Sequence, residues 1–356
     1  MPEDNSNIKD EQYLHVRRHQ NRGDFQESIQ SPLSPTSITD NKSIQCNGKQ
    51  KKQVLAYVTN VDSVSVVDIL KGKEILKIPV GFSPLDIAIS PNKRYAYITF
   101  PDDATLGVIS IPGNREVARI NLNEPPFTSS VPLGVAVSPD GKFIYTANFD
   151  SSNVSIVQAT EHGWRVVGEI PLANKPERIA ITPNGRLAYV TLRDDNAIAV
   201  IDLVVNLPID TIAAGTRPID IAINKAFLGL TANPGSDDVT VFNAKLAKTA
   251  SVSIPVGDRP PGVAFDPESD IAYVTNRSGN SVSVINIFQH QVIDTIPVGI
   301  EPIGVAVTED GRFTTVANSI DNTVSIIDNK KRQVIYTVGV GLEPFFIKTV
   351  TLINKY

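Results

Sequence analysis

Apolar and polar residues alternate with a period of two along most of the chain, in short runs separated by polar turns. The stretch Leu55–Asp68 reads LAYVTNVDSVSVVD, which is an apolar strand, a polar turn and a second alternating strand. The pattern returns six more times. Its second strand reads SVSVVD, ATLGVIS, NVSIVQ, NAIAVID, DVTVFN, SVSVINI and TVSIID. Period-two alternation favours sheet over helix, and no segment has a convincing helical pattern, so we predict an all-β protein.

A proline followed by small and β-branched residues keeps step with these repeats. It occurs at Pro84, Pro132, Pro176, Pro218, Pro260, Pro302 and Pro344. The first two spacings are 48 and 44 residues, and the last four are 42. A period in the low forties with four short strands per unit is typical of a β-propeller blade.

The unit that begins at Pro132 predicts the layout of a blade. We expect strand a over Leu133–Ser138, strand b over Phe143–Asn148, strand c over Val154–Val157 and strand d over Val166–Ile170. Pro139-Asp140-Gly141 forms the tight turn between strands a and b. The repeated tyrosine of strand b is expected to pack between blades.

The two ends of the repeat region complete one blade. The first element, at Leu55, is a strand b, whereas the last, Phe345–Thr351, is a strand a with no strand b behind it. We therefore predict that residues 53–352 form a seven-bladed β-propeller of four-stranded antiparallel blades. The last blade is closed by the C-terminal strand a pairing with the N-terminal strands b, c and d. This closure removes exposed sheet edges.

Residues 1–50 differ in composition from the repeats. They are rich in Asn, Gln, Ser, Asp and Arg, and such a segment buries too little apolar surface to offset its ordering entropy. We predict a disordered polar tail.

Three segments depart from the repeat pattern. Leu122–Pro132 is the longest loop before a strand a, and Gln158–Arg165 is an enlarged loop that carries the only tryptophan. The unit at Ile223–Asn233 lacks the usual turn sequence, and we expect a less regular blade there. Loops are the usual place for function on a rigid scaffold.

Two motifs link the chain to a known family. Tyr57–Asn60 and Tyr273–Asn276 both read YVTN, and Pro132–Gly141 reads PLGVAVSPDG. Over roughly residues 53–352 the chain resembles the YVTN family of β-propeller repeat proteins, which are WD40-like in architecture. The resemblance implies a propeller scaffold of the surface-layer or lactonase-like type, and many such proteins have no assigned activity.

Composition narrows the choice of partner. Lys and Arg number 33 against 38 Asp and Glu, a net charge of −5, so we expect no nucleic-acid binding.

Cys46 is the one cysteine, which allows no intramolecular disulfide. No apolar run reaches membrane-spanning length, and the N-terminus lacks the apolar core of a signal peptide. We expect a soluble, cytoplasmic monomer without a membrane span, and surface association by a non-classical route stays open.

Charged residues point to a binding site at the mouth of the central channel. Antiparallel strands bring the d-to-a and b-to-c loops to one face, here called the first face. The residues before the seven landmark prolines lie there: Ser83, Val131, Lys175, Arg217, Arg259, Glu301 and Glu343. Three consecutive blades offer a cation and the next two an anion. Our candidate ligand-binding residues are Lys175, Arg178, Arg193, Arg217, Asp220, Arg259, Glu301 and Glu343. Because arginine binds carboxylates and phosphates well, these residues could form a pocket for a small anionic ligand. The alternative interpretation is that they only form ion pairs between blades on a solvated rim.

Catalytic motifs are missing from the sequence. It contains no G-x-S-x-G, no H-E-x-x-H and no calcium-loop spacing, and its four histidines are scattered. We therefore expect no catalytic residues, metal or cofactor, and favour a non-catalytic scaffold that binds a protein, a glycan or a small anion at the channel mouth. The alternative is a lactonase-like hydrolase acting on a sugar lactone there. Its base would come from one of four carboxylates, Asp86, Asp220, Glu301 or Glu343.

Overall fold

The computed structural model of the protein describes residues 51–246 and 251–354. The predicted polar tail, residues 1–50, lies outside the described residues. The first three strands are β1 (Lys51–Thr59), β2 (Ser63–Asp68) and β3 (Lys73–Pro79). Blade 1 contains β4 (Ile87–Ile89), β5 (Tyr95–Phe100), β6 (Thr105–Ser110) and β7 (Arg115–Asn121). Blade 2 contains β8 (Pro132–Val137), β9 (Phe143–Asn148), β10 (Asn153–Thr160) and β11 (Gly163–Pro171).

Four further blades follow in chain order. Blade 3 contains β12 (Pro176–Ile181), β13 (Leu187–Leu192), β14 (Ala197–Asp202) and β15 (Leu207–Ala213). Blade 4 contains β16 (Ile221–Ile223), β17 (Leu228–Asn233), β18 (Asp238–Asn243) and β19 (Ser251–Pro255). Blade 5 contains β20 (Val263–Phe265), β21 (Ile271–Asn276), β22 (Ser281–Asn286) and β23 (Gln291–Pro297). Blade 6 contains β24 (Pro302–Val307), β25 (Phe313–Asn318), β26 (Thr323–Asp328) and β27 (Gln333–Gly339).

The seventh blade joins both ends of the described chain. Strand β28 (Ile347–Asn354) pairs antiparallel with β1, and the sheet order is β28-β1-β2-β3. In this register Leu55 lies opposite Val350. The seven strands a contact one another in a closed ring, which includes contacts of β28 with β24 and with β4. The described residues thus form seven four-stranded antiparallel blades and no helix. The predicted fold and its closure are confirmed.

The hydrophobic core lies between the blades. Seven clusters of buried residues can be distinguished in the described part of the chain, one at each junction of neighbouring blades. Strands b and c are buried on both faces, whereas most residues of the outer strands d are exposed or partly buried. The strand-b tyrosines Tyr57, Tyr97 and Tyr189 are fully buried between blades. Burial raises the pKa of the Tyr57 and Tyr189 hydroxyls to about 12.

The asparagine that ends strand b in five blades has a structural role. In each case its Nδ2 donates to a Ser or Thr hydroxyl on strand c at 2.8–2.9 Å. In blade 5, Asn276 also accepts a hydrogen bond at Oδ1 from Gly257 N, at 3.0 Å. A Cβ at Gly257 would lie 2.4 Å from the Asn276 side chain, so only glycine allows this approach. The YVTN motif is therefore explained by a buried cross-link between strands.

Two departures from the repeat pattern take a different form from the one predicted. Gln158–Arg165 is not an enlarged loop: β10 and β11 continue through it as a hairpin, with Ala159 opposite Trp164. Blade 4 forms all four strands, and among its described residues the a-to-b turn is irregular. Asn224 N bonds to Leu228 O there, whereas Ser138 N bonds to Phe143 O in blade 2. The blade 4 turn is one residue shorter.

Candidate functional site

The residues before the landmark prolines share one backbone conformation. All seven have a left-handed φ, between 44° and 60°. Such a conformation costs non-glycine residues about 1–2 kcal/mol, and hydrogen bonds to the preceding blade hold it. Arg217 N donates to Asn196 Oδ1 at 2.8 Å, and Arg259 N donates to Asp237 Oδ1 at 2.8 Å. The propeller repeat explains this geometry in every blade, but it does not explain the choice of side chain.

Lys175 and Arg193 lie beside one aromatic ring. Lys175 Nζ is 4.5 Å and Arg193 Cζ is 4.3 Å from the ring centroid of buried Phe149. Both cations also have carboxylate partners: Lys175 Nζ lies 3.0 Å from Asp150 Oδ1, and Arg193 Nε lies 3.2 Å from Asp194 Oδ1. Part of the predicted positive charge is therefore neutralised by aspartates of the b-to-c loops.

Arg178 contacts side chains of two other blades. It starts on β12 of blade 3, yet its Nε lies 3.8 Å from Asp86 Oδ2 in blade 1. Its Cζ lies 4.1 Å from the ring centroid of Phe346, just before the blade 7 strand β28. The side chain is 5% exposed, and its Nε has no hydrogen-bond partner among the described residues. Gly134 makes room for it, since a Cβ there would lie 2.7 Å from Arg178 Cα. The guanidinium thus connects blade 3 with blades 1 and 7.

Glu177 is a buried carboxyl that sequence reasoning did not select. The equivalent position, one residue after the landmark proline, is apolar in the other blades: Leu85, Leu133, Ile219, Pro261, Ile303 and Phe345. Its Oε2 has no hydrogen-bond partner among the described residues. Burial raises the pKa of Glu177, and the nearby charges of Arg178, Arg193 and Arg217 oppose that rise. The sequence did contain a signal for Glu177: it is the one charged residue at a repeat position that is apolar in the other six blades.

Asp220 and Asp86 connect neighbouring strands a. Asp220 Oδ2 accepts a hydrogen bond from Val263 N, and Asp86 Oδ2 accepts one from Val135 N, both at 2.9 Å. In each aspartate the other oxygen accepts the N–H of the next residue. Burial raises the pKa of Asp220, opposed chiefly by the charge of Lys348. Both carboxylates are thus already engaged with backbone donors of the scaffold.

Glu301 and Glu343 lie on the acidic side of the mouth. Glu301 Oε2 accepts hydrogen bonds from Arg277 Nε at 3.0 Å and Nη2 at 2.7 Å, which joins blades 5 and 6. Glu343 is exposed, and its N–H donates to Asn322 Oδ1 at 2.7 Å. The acidic candidates Glu301 and Glu343 are therefore separate from the basic ones.

Four basic candidates form a group of their own on the first face. We call Lys175, Arg193, Arg217 and Arg259 the basic arc.

A second arc on the first face is apolar and was not predicted. It consists of Phe82, Ile300, Ile320 and Leu342, which are 67%, 47%, 56% and 64% exposed. Phe82, Ile300 and Leu342 lie two residues before their prolines in blades 1, 6 and 7, none of which contributes to the basic arc. The equivalent residues elsewhere are polar: Ser130, Asn174, Thr216 and Asp258. We call this group the apolar arc.

Within residues 51–246 and 251–354, no group of three or more His, Cys, Asp or Glu side chains is placed to hold a metal ion. The same part of the chain holds no helix with the length and apolarity that a membrane span requires.

The fold and the charged mouth define a seven-bladed β-propeller of the repeat-protein class. The chain belongs to the YNCE-like beta-propeller family, which it matches over residues 35–354. This match and the structural neighbours below confirm the resemblance identified from the YVTN motifs.

One curated relative and several solved structures are similar to the chain. A 6-phosphogluconolactonase of Erwinia tasmaniensis is 25% identical over 154 residues, which cover 41% of this chain and 47% of that protein. The match thus spans about half of the relative's length. A putative 6-phosphogluconolactonase from Bacteroides uniformis superposes with a TM-score of 0.70 and 13% identity, covering 84% of this chain and 100% of that chain. The Kuenenia stuttgartiensis hydrazine synthase superposes with a TM-score of 0.68 and 19% identity, covering 76% of this chain and 91% of that chain. These structures share the fold.

Proposed function

We propose that the protein binds a small anionic ligand, such as a carboxylate or a phosphate ester, at the basic arc of the first face. The observation that carries the proposal is Arg178. Its guanidinium is buried, and its Nε makes no hydrogen bond to any described residue, although it lies 3.8 Å from Asp86 Oδ2. A buried donor that makes no hydrogen bond is costly, and an anionic ligand that accepts a hydrogen bond from it would lower that cost.

The chemistry of the mouth favours a sugar acid or sugar phosphate. Arginines bind planar carboxylates and phosphates through paired hydrogen bonds, and the Asp and Asn side chains around the mouth suit hydroxyl groups. The relative named 6-phosphogluconolactonase supports the same class, because its name implies a phosphorylated sugar lactone. We therefore take 6-phosphogluconate, the acid that corresponds to that lactone, as the first ligand to test.

A thermal-shift titration tests the binding proposal. The wild type and the variant with Arg217→Ala and Arg259→Ala are heated with increasing 6-phosphogluconate. Binding to the native state alone raises the melting temperature with ligand concentration, and we expect a clearly smaller rise in the variant. Glu343→Ala is the matched control at the same backbone position and should respond like the wild type or more strongly. Equal shifts in the wild type and the double variant would contradict the proposal and favour ion pairing between blades.

Hydrolysis of a sugar lactone is a second candidate function, and Glu177 favours it. Asp86 and Asp220 already accept backbone N–H groups, and Glu301 is paired with Arg277. Glu177 instead combines a raised pKa with an Oε2 that no described residue engages. It would take a proton from water as the oxygen attacks the lactone carbonyl, while Arg178 stabilises the developing oxyanion. As the tetrahedral intermediate collapses, the ring C–O ester bond breaks, the leaving oxygen takes the proton back from Glu177, and a hydroxy acid is released.

An assay of lactone hydrolysis separates the two functions. Glu177→Gln keeps the shape of the side chain but removes the base. If the protein is a lactonase, the rate should fall by roughly 100-fold or more while 6-phosphogluconate binding persists. A wild-type rate equal to the uncatalysed rate would exclude hydrolysis and leave the binding proposal standing. The monomeric state, the cytoplasmic location and the kind of partner stay predictions.

A further inference from the structure

Two insertions in the repeat pattern meet at one place on the rim of the propeller. Nine residues separate Leu122 from Pro132, whereas three separate the equivalent Val80 from Pro84. These six extra residues account for the 48-residue spacing of blade 1. The two extra residues of blade 2 lie in the β10–β11 hairpin. Both insertions border one groove of about 510 Å³ between β7 and β11, which we call the rim groove.

The walls of the rim groove are fixed by hydrogen bonds. Thr128 N and Ser129 Oγ both donate to Glu169 Oε1, which ties the inserted loop to β11. Trp164 Nε1 donates to Tyr97 OH at 3.2 Å, and the Trp164 ring packs edge-on against Tyr95 with centroids 5.1 Å apart. The groove is therefore formed before any ligand arrives, which lowers the entropy cost of binding.

Residues of two edge strands line this groove. Its lining includes five consecutive residues of β7 (117–121) and four of β11 (163–166). Because successive side chains of a strand point to opposite faces, consecutive lining residues expose the backbone between them. Each of these strands pairs on one side only, with β6 and with β10. An extended peptide can add to such an edge through main-chain hydrogen bonds.

Side chains of the rim groove define the chemistry of the occupant. Pro125, Phe127 and Trp164 supply an apolar surface. Arg119, Arg165 and Glu124 supply charge, His162 supplies an imidazole ring, and Arg119 is already paired with Glu116 at 2.6 Å. Arg165 donates to the neutral Gln158 at 3.0 Å, so its positive charge is not neutralised by that contact.

We propose that the rim groove binds a short extended peptide of a partner protein. The peptide pairs its backbone with β7 or β11, places an aromatic or aliphatic side chain between Phe127 and Trp164, and offers an acidic side chain to Arg165. The site is on the outer rim, apart from the basic arc, and does not depend on the function proposed for the channel mouth.

The single tryptophan of the chain makes the proposal directly measurable. The full-length protein is titrated with the synthetic peptide acetyl-TEVFVET-amide while Trp164 fluorescence is followed. We expect a saturable change, with amide-exchange protection confined to β7 or β11. A peptide N-methylated at alternate residues loses main-chain donors and should bind at least about tenfold more weakly. A peptide with lysine for glutamate should also bind more weakly.

Variants and competing ligands complete the test. Phe127→Ala and Arg165→Glu should each weaken binding of the acidic peptide. Arg165→Glu should also strengthen binding of the lysine peptide. 6-Phosphogluconate should leave Trp164 fluorescence unchanged, because its proposed site is elsewhere. The proposal is overturned if no peptide changes the fluorescence, or if the N-methylated peptide binds equally well. It is also overturned if cellohexaose gives the saturable change that the peptide does not, which would identify a glycan site.

Discussion

The basic arc and the apolar arc occupy equivalent loops of one ring. Arg217 in blade 4 and Glu343 in blade 7 have left-handed φ values of 58° and 45°, and each donates its N–H to an asparagine of the preceding blade. The side chains around them differ: cations cluster on one side, and exposed Phe82 and Leu342 lie on the other. Since the repeat determines the backbone in every blade, the difference lies in the side chains alone. These side chains are therefore where function should be sought.

Arg178 links the two sides of the mouth, and its removal should have the largest effect. Arg178→Met keeps much of the volume but leaves Asp86 without its nearby charge and removes the contact with Phe346. Breaking a buried charge pair typically costs about 3–5 kcal/mol, and we expect a loss of that order in urea unfolding. Arg119→Met is the matched control, because Arg119 also lies over a phenylalanine, 3.5 Å from the Phe100 centroid, at a more exposed position. If both variants lose the same free energy of unfolding, Arg178 contributes no more to stability than the more exposed Arg119.

Extending the basic arc into the acidic side should strengthen anion binding. Glu343→Lys adds a cation at the same backbone position in blade 7, and a charged hydrogen bond contributes about 1.5–3 kcal/mol when it forms. We expect calorimetry to show tighter binding of 6-phosphogluconate, by up to roughly tenfold at low salt, with the gain shrinking as salt is added. Unchanged affinity at low salt would mean that the ligand contacts only blades 3 to 5.

The buried carboxyl of Glu177 should make stability depend on pH. Because burial raises its pKa in the folded state, folding favours the protonated form, and ionisation becomes a growing cost as the pH rises through the raised pKa. Glu177→Gln removes that cost. Its melting temperature should exceed that of the wild type at pH 8, and the advantage should disappear near pH 4. A variant less stable than the wild type at pH 8 would show instead that the neighbouring arginines stabilise the ionised form.

The apolar arc should contribute little to folding. Phe82→Ser and Leu342→Ser alter side chains that are mostly exposed, so the free energy of unfolding should change by no more than about 0.5 kcal/mol each. Exposed apolar patches promote association, and light scattering of concentrated samples should decrease in the double variant. Loss of anion binding in these variants would contradict the separation of the two arcs.

The repeat made the fold predictable, and irregular contacts made the site harder to predict. Spacing of the prolines and alternation in the strands were sufficient for seven blades and for the pairing of β28 with β1. They also placed Lys175, Arg217 and Arg259 on one face. They did not predict that Arg178 reaches Asp86 and Phe346, because contacts between blades 3, 1 and 7 leave no periodic signal. The hairpin at Gln158–Arg165 was missed because its polar residues resemble a loop.

In our proposal, the basic arc and Arg178 form an anion site. The most direct test is a crystal structure of the protein soaked with 6-phosphogluconate. We predict density for its phosphate or carboxylate within hydrogen-bonding distance of Arg178, Arg193 or Arg217, on the first face. Density for the ligand only at the apolar arc, on the opposite face or on the rim would contradict the claim. So would an empty basic arc at a ligand concentration that saturates the protein in calorimetry.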